Sequence, residues 1–169
     1  MENVKIKNGL ILGVALVIIS LVLYLIDPRV YLTWETWIGF AAVIYIMYKT
    51  AVAVREQKDG VLSFGSAFVA VFVPMAIGLL ISSLFSYVLQ NYIAPELGDI
   101  TKEIAIETIE KISGMFGGDV GDEMMEEIEN QDYSLTMGKV FLGWMFSVVI
   151  GCVPALIVAA LTKKSGDFA

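Results

Sequence analysis

The acidic residues that follow the third apolar stretch are the side chains of this chain with the clearest potential for chemistry. Five of them lie close together: Asp119, Asp122, Glu123, Glu126 and Glu127. Carboxylates at such density can bind a divalent cation or act as a paired general acid and base. An EF-hand loop needs alternating carboxylates, a glycine and a distal glutamate, and that spacing is absent. The cluster therefore predicts a solvated acidic surface, with a loose cation site as the alternative.

Other residue types that carry chemistry are scarce. The chain has no histidine, which removes histidine acid–base catalysis, the common zinc sites and any Ser-His-Asp triad. Its one cysteine, Cys152, lies in an apolar run and is expected to be inert packing. No basic patch is available for nucleic acid phosphates. The sequence thus predicts a protein that is not an enzyme, carries no cofactor and binds no nucleic acid.

Hydrophobicity sets the fold class. Of the 169 residues 57% are apolar, whereas a soluble domain has about 45–50%. The apolar residues form four stretches, each long enough to span a bilayer. We predict an all-α membrane protein, a single domain with an acidic amphipathic helical hairpin inserted between helices three and four. The predicted spans are residues 6–26, 34–54, 63–93 and 137–161.

The insert, residues 96–135, is the largest part of the chain that can meet water. Between Glu96 and Asp132 it holds twelve of the eighteen acidic residues and only two lysines, a net charge of −10. Apolar residues on one face and glutamates on the other predict an amphipathic helix from Thr101, which Gly114, Gly117 and Gly118 are expected to break. A second short helix is predicted at about 122–130. The pair is expected to lie over the outer mouth of the bundle.

Lysine and arginine are unequally divided between the two predicted sides of the membrane. Seven lie on the side of the termini and four on the other side. Because basic loops tend to remain in the cytoplasm, we expect both termini to be cytoplasmic and the acidic insert to be periplasmic.

Small residues recur along three of the predicted spans at spacings that place them on one helix face. In lipid such faces let helix backbones approach closely. We expect a tight internal bundle with spans three and four against each other; the alternative is a docking face for another protein or a second copy. The residues are Gly9, Gly13, Gly78, Ser82, Ser86, Gly143, Ser147, Gly151, Ala155 and Ala159.

Two further features bear on transport. Pro74 and Pro154 are expected to bend spans three and four at matching depth, as the broken helices of transporters do, although ordinary kinked spans also contain proline. The outer half of span three is polar, around Gln90 and Asn91, and could line a shallow cavity; exposure to the insert or to water is the expectation we favour. No charge lies deep in any predicted span, which argues against a proton-coupled transporter.

Two short motifs carry a family resemblance. Arg55-Glu56, a glycine turn and Ser63-Phe64-Gly65-Ser66-Ala67-Phe68 open the third span, and Lys7-Asn8-Gly9 leads into the first. In these motifs and in its layout the chain resembles the domain-of-unknown-function 4199 family, uncharacterised four-span proteins of the bacterial inner membrane. The resemblance implies topology and location but no catalytic residue. It also suggests an accessory role beside a polyprenyl-phosphate glycosyltransferase.

We therefore expect a non-catalytic membrane subunit or scaffold. Its predicted partners are membrane lipid and either another membrane protein or a second copy of itself, contacted through the spanning helices and the acidic hairpin. The alternatives are a small transporter, channel or lipid-handling protein, and the glycosyltransferase accessory subunit.

Overall fold

The computed structural model describes residues 2–116, 125, 128, 131 and 133–164, and its regular structure there is helical. Four of its helices are long and apolar enough to cross a membrane, which confirms the all-helical fold and indicates a multi-pass membrane protein. A π-helical turn, Leu89–Ile93, extends the third helix. The five long helices are α1 (Glu2–Ile26), α2 (Pro28–Glu56), α3 (Phe64–Val88), α4 (Leu97–Phe116) and α5 (Met137–Thr162).

The connection between α1 and α2 is a single residue, Asp27. Its Oδ1 accepts hydrogen bonds from the backbone N–H groups of Arg29, at 2.7 Å, and Val30, at 3.2 Å. Pro28 occupies the first helical turn, where its missing N–H costs nothing. Because this cap is complete, α2 begins six residues before Trp34, the expected start of the second span.

At the opposite end of the same bundle, a backbone bridge joins the α2–α3 loop to the end of α5. Leu62 and Lys164 exchange two N–H···O=C bonds, both 2.9 Å long. The loop turns through Asp59 and Gly60, which have positive φ angles of 54° and 83°. We call this the bridge end of the bundle and the other the Asp27 end.

Residues 1–85 and 138–169 form one compact unit, and all four spanning helices contribute to its core. The core side chains concentrate in the middle of α1 and in the parts of α2, α3 and α5 nearer the bridge end. They are Leu12, Leu16, Val43, Met47, Ala51, Val54, Leu62, Ala67, Ala70, Val71, Met75, Ala155, Val158 and Ala159.

Residues 86–137 form a second compact unit, which holds the π-helical turn and α4. Leu89, Ala94 and Leu97 are fully buried in it. The helix α4 begins at Leu97 rather than at Thr101, whose hydroxyl instead bonds the Leu97 carbonyl oxygen at 2.7 Å.

Gly114 does not interrupt α4, which continues to Phe116. The break predicted at Gly114 was therefore wrong, because glycine lowers helix propensity by only about 1 kcal/mol, too little to end a helix by itself. The other two glycines of that prediction, Gly117 and Gly118, lie outside the described residues. Of the second predicted helix, Met125 and Ile128 are helical. The rest of that helix lies outside the described residues.

Candidate functional site

The small residues of α1 and α3 form a contact between these two helices. A Cβ atom built on Gly13 would lie 2.7 Å from the Cβ of Ile81, and one built on Gly9 would lie 2.9 Å from the Cβ of Ile77. In the opposite direction, a Cβ on Gly78 would lie 2.6 Å from the Cγ of Leu12. These three glycines thus allow α1 and α3 to interlock.

Small residues of α5 meet α3 at a different place. A Cβ on Gly151 would lie 2.5 Å from the Met75 sulfur, while Ala155 and Ala159 are fully buried. Spans three and four are therefore in contact as expected, but Gly78 takes no part, because it accommodates α1. The Trp144 indole N–H adds a hydrogen bond of 3.1 Å to the Ala76 carbonyl oxygen.

Two members of the α5 series are not used inside the bundle. Gly143 and Ser147 are both exposed, and a Cβ on Gly143 would meet no atom of the described residues within 4 Å. The last two residues of the predicted set, Ser82 and Ser86 of α3, are half-buried.

Both prolines lie within continuous helices. Pro74 is fully buried, with its Cα 3.1 Å from a Cβ built on Gly9. Pro154 is half-buried, three residues from Gly151, which packs on Met75. The two prolines thus lie at similar depth, and Pro74 is enclosed by packed side chains.

The acidic cluster predicted from the sequence cannot be placed. Asp119, Asp122, Glu123, Glu126 and Glu127 all lie outside the described residues. Within residues 2–116 and 133–164, no three His, Cys, Asp or Glu side chains come close enough to hold a metal ion.

A small cavity of about 180 Å³ lies in the second unit, beside the π-helical turn. Gln90 and Asn91 line it together with Tyr133 and its neighbours. The Asn91 amide nitrogen donates to the carbonyl oxygens of Tyr87, at 3.0 Å, and Leu135, at 2.9 Å. Two polar residues at the end of span three therefore face residues of the insert, the alternative that the sequence favoured, and line a small cavity together with them.

A polar contact inside the α1–α2 hairpin was not predicted from the sequence. Glu35 lies seven residues after the start of α2, and its Oε1 accepts a 2.6 Å hydrogen bond from the hydroxyl of Ser20 on α1. Ser20 is fully buried. Since the sequence placed the start of the second span at Trp34, Glu35 stood at the edge of that predicted span. The capping pair Asp27-Pro28 was the available signal that α2 begins earlier.

A protein-family comparison agrees with the resemblance carried by the sequence motifs. The family described as "Protein of unknown function (DUF4199)" matches residues 7–164. The chain belongs to the DUF4199 family. Searches of curated proteins and of solved structures found no match.

The motifs that suggested DUF4199 membership have structural roles near the bridge end. The Ser63 hydroxyl accepts a 3.4 Å bond from the Ser66 N–H at the start of α3, and Lys58 Nζ lies 3.1 Å from the Ser66 hydroxyl. From the other motif, the Asn8 amide donates to the Thr50 hydroxyl at 2.9 Å. In this DUF4199 chain the motifs therefore stabilise the fold.

Proposed function

We propose that this protein is a non-catalytic integral membrane subunit or scaffold, which binds partner proteins through its spanning helices and its acidic insert. The observation that carries the proposal is the uneven packing of α5. The part nearer the bridge end is built into the bundle core, whereas the part nearer the Asp27 end is largely uncovered.

Between Met137 and Ile150, the N-terminal half of α5, Val140 is the one buried residue. This half also exposes Gly143 and Ser147. In membranes, small residues favour helix–helix contact because they let two backbones approach, and a face exposed only to lipid gains nothing from them. The exposed pair therefore supports close approach by a helix from outside this bundle.

The acidic insert supports a second contact, in water. On its described helix, α4, Glu103 and Glu110 are exposed while Ile109 is buried. A surface of this charge attracts basic partners and repels anionic lipid headgroups. We therefore propose that the insert binds a soluble segment of the partner whose spanning helix contacts α5.

The test is capture of the full chain from its native membrane in nanodiscs, followed by mass spectrometry of proteins and lipids. Gly143→Leu and Ser147→Leu fill space that is open in this structure, so the fold should survive. Ala160→Leu is the matched control, because Ala160 is also exposed on α5 but lies outside the small-residue series.

A stoichiometric protein that is lost with Gly143→Leu but retained with Ala160→Leu would support the proposal. A second copy of this chain would identify it as a homo-oligomer, and a polyprenyl-phosphate glycosyltransferase would identify the accessory role. Equal recovery of every protein with both variants would contradict binding through α5. A chain that purifies alone with one specific lipid would indicate lipid handling instead.

We further propose that the protein resides in a bacterial inner membrane with the bridge end in the cytoplasm. The basic residues favour this orientation. In a Cys152→Ser background, Gln57→Cys near the bridge end should resist a membrane-impermeant thiol reagent in intact cells, whereas Lys111→Cys should react. The reverse labelling pattern would show that the bridge end faces away from the cytoplasm. The seven basic residues expected on the cytoplasmic side are Lys5, Lys7, Lys49, Arg55, Lys58, Lys163 and Lys164.

A small transporter is the second candidate, and Glu35 is the observation that favours it. Transport of protons or ions generally uses ionisable groups inside the membrane, and Glu35 supplies one that the sequence analysis did not count. One observation argues against transport. Pro74 has fully buried neighbours, Val71 and Met75, so the helix bend expected at Pro74 is surrounded by packed side chains. Purified protein in liposomes that dissipates an imposed pH gradient, with loss of this activity in Glu35→Gln, would favour the transporter.

A further inference from the structure

Glu35 differs from Lys49, the charged residue at the corresponding distance from the other end of α2. Lys49 lies equally far from its own helix end, seven residues before Glu56. Its side chain is exposed, with Nζ 5.5 Å from the centre of the Tyr45 ring, and a lysine side chain is long enough to reach the membrane surface from such a position. Glu35 has a shorter side chain, and its hydrogen bond directs it toward the buried Ser20. The Glu35 carboxyl is therefore held inside the hairpin.

The surroundings of this contact are apolar. Ser20 lies six residues before the end of α1, about 9 Å along the helix axis at about 1.5 Å per residue. Beyond it, Leu25 and Ile26 are 72% and 68% exposed, so the apolar surface that lipid would cover extends past the level of Ser20. The carboxyl thus lies within the apolar zone of the membrane rather than at its edge.

The ionisable groups nearest to Glu35 along the two helices of the hairpin lie toward the Asp27 end. Tyr24 is on α1, and Arg29 and Tyr31 are on α2. The Asp27 carboxylate caps α2. The lysines of α1 lie at its opposite end, and α3 has no ionisable side chain before Tyr87. Among the described residues, the hydrogen bond to the Glu35 carboxyl comes from a neutral hydroxyl, that of Ser20.

A carboxylate in a hydrocarbon environment is costly, and gaining a proton removes that cost. Ser20 suits both forms of the acid, because a hydroxyl can donate to a carboxylate or accept from a protonated carboxyl. A metal ion is a poorer fit, since calcium takes about 6–8 oxygen ligands and magnesium about six. One carboxyl and one hydroxyl supply three oxygens.

We propose that Glu35 and Ser20 form a proton-binding site inside the membrane-spanning α1–α2 hairpin. The bound form is a neutral acid hydrogen-bonded to Ser20, and loss of the proton places a charge in the apolar zone. Proton binding thus links the packing of α1 against α2 to pH. This site is independent of the partner contacts proposed for α5.

The first test uses dicyclohexylcarbodiimide, an apolar reagent that modifies protonated carboxyls within membranes. The full chain in nanodiscs is treated from about pH 5 to about pH 9, a range in which water-exposed carboxyls stay ionised, and modified peptides are quantified by mass spectrometry. We expect modification at Glu35 that falls more than about tenfold across this range. Glu56, exposed at the end of α2, should remain unmodified, and Ser20→Ala should shift the pH at which the labelling of Glu35 falls.

The second test compares the unfolding stability of the wild type with that of Glu35→Gln over the same pH range. Glutamine keeps the shape and a hydrogen bond to Ser20 but binds no proton. If the folded protein holds the proton, wild-type stability relative to the variant is greatest at low pH and falls as the proton is lost at higher pH. Groups that both chains share cancel in the comparison. A wild-type-to-variant difference that is constant with pH would overturn the proposal, whatever the labelling shows.

Discussion

The contact between α1 and α3 makes a quantitative prediction at Gly13. A Cβ atom at this position would lie 2.7 Å from the Cβ of Ile81, and 2.5 Å and 2.9 Å from its Cδ1 and Cγ2. The end of the Ile81 side chain could rotate away, but its Cβ is fixed to the backbone of α3. Gly13→Ala therefore forces α1 and α3 apart by about 1 Å, because carbon atoms pack at about 3.5–4.0 Å.

Overpacking of this kind costs about 1–3 kcal/mol. Alanine also stabilises the interior of a helix by about 0.5–1 kcal/mol relative to glycine, which reduces the net cost. Gly143→Ala isolates this second effect, since no atom lies within 4 Å of the new Cβ. The difference between the two variants should thus equal the packing cost alone, about 1–3 kcal/mol, which is roughly a 5- to 150-fold difference in the unfolding equilibrium constant.

The assay is reversible unfolding in mixed micelles titrated with SDS, followed by tryptophan fluorescence. Gly143→Ala should unfold at or above the SDS fraction that unfolds the wild type, and Gly13→Ala should unfold at a lower one. Equal midpoints for the two variants would show that the backbones of α1 and α3 are not in close contact at Gly13.

Two hydrogen bonds between helices give further predictions in the same assay. Trp144→Phe removes the N–H that bonds the Ala76 carbonyl oxygen and should lower the free energy of unfolding by about 1 kcal/mol. The control Trp37→Phe, at a position 71% exposed, should lower it by less than about 0.5 kcal/mol. Equal losses of stability would mean that ring size, not the hydrogen bond, matters. Thr50→Val and Asn8→Ala should each destabilise the protein, and the double variant should reveal a coupling energy of about 0.6–1.7 kcal/mol; additive losses would show that the two side chains do not interact.

The number of spanning helices was predictable because it depends on apolar composition summed over about 20 residues. The start of α2 was not obtained from that signal. Hydropathy indicated Trp34, whereas Asp27 and Pro28 set the start through capping, a local interaction that a hydropathy average does not detect. The same six residues decide whether Glu35 lies at the membrane edge or inside a helix.

The small residues show a second reason why the sequence alone did not predict the helix packing. Their spacing identified positions that allow close helix contact, and Gly9, Gly13, Gly78 and Gly151 all have such contacts. Spacing within one helix carries no information about which neighbour fills the space. Gly78 accommodates Leu12 of α1, and Gly143 accommodates no residue of this bundle. The neighbour depends on the rotation of each helix, which the whole core determines.

The two features proposed to carry function lie away from the densest part of the bundle. In the 1–85 and 138–169 unit, the large core cluster includes no residue of α5 before Ala155 and none of α2 before Val43. Glu35 and Gly143 both belong to the Asp27-end halves of these helices, outside that cluster. A change of charge at Glu35, or a partner helix at Gly143, would therefore act outside the core around Met47 and Met75. A charged site or an open helix face within that core would instead compete with its packing.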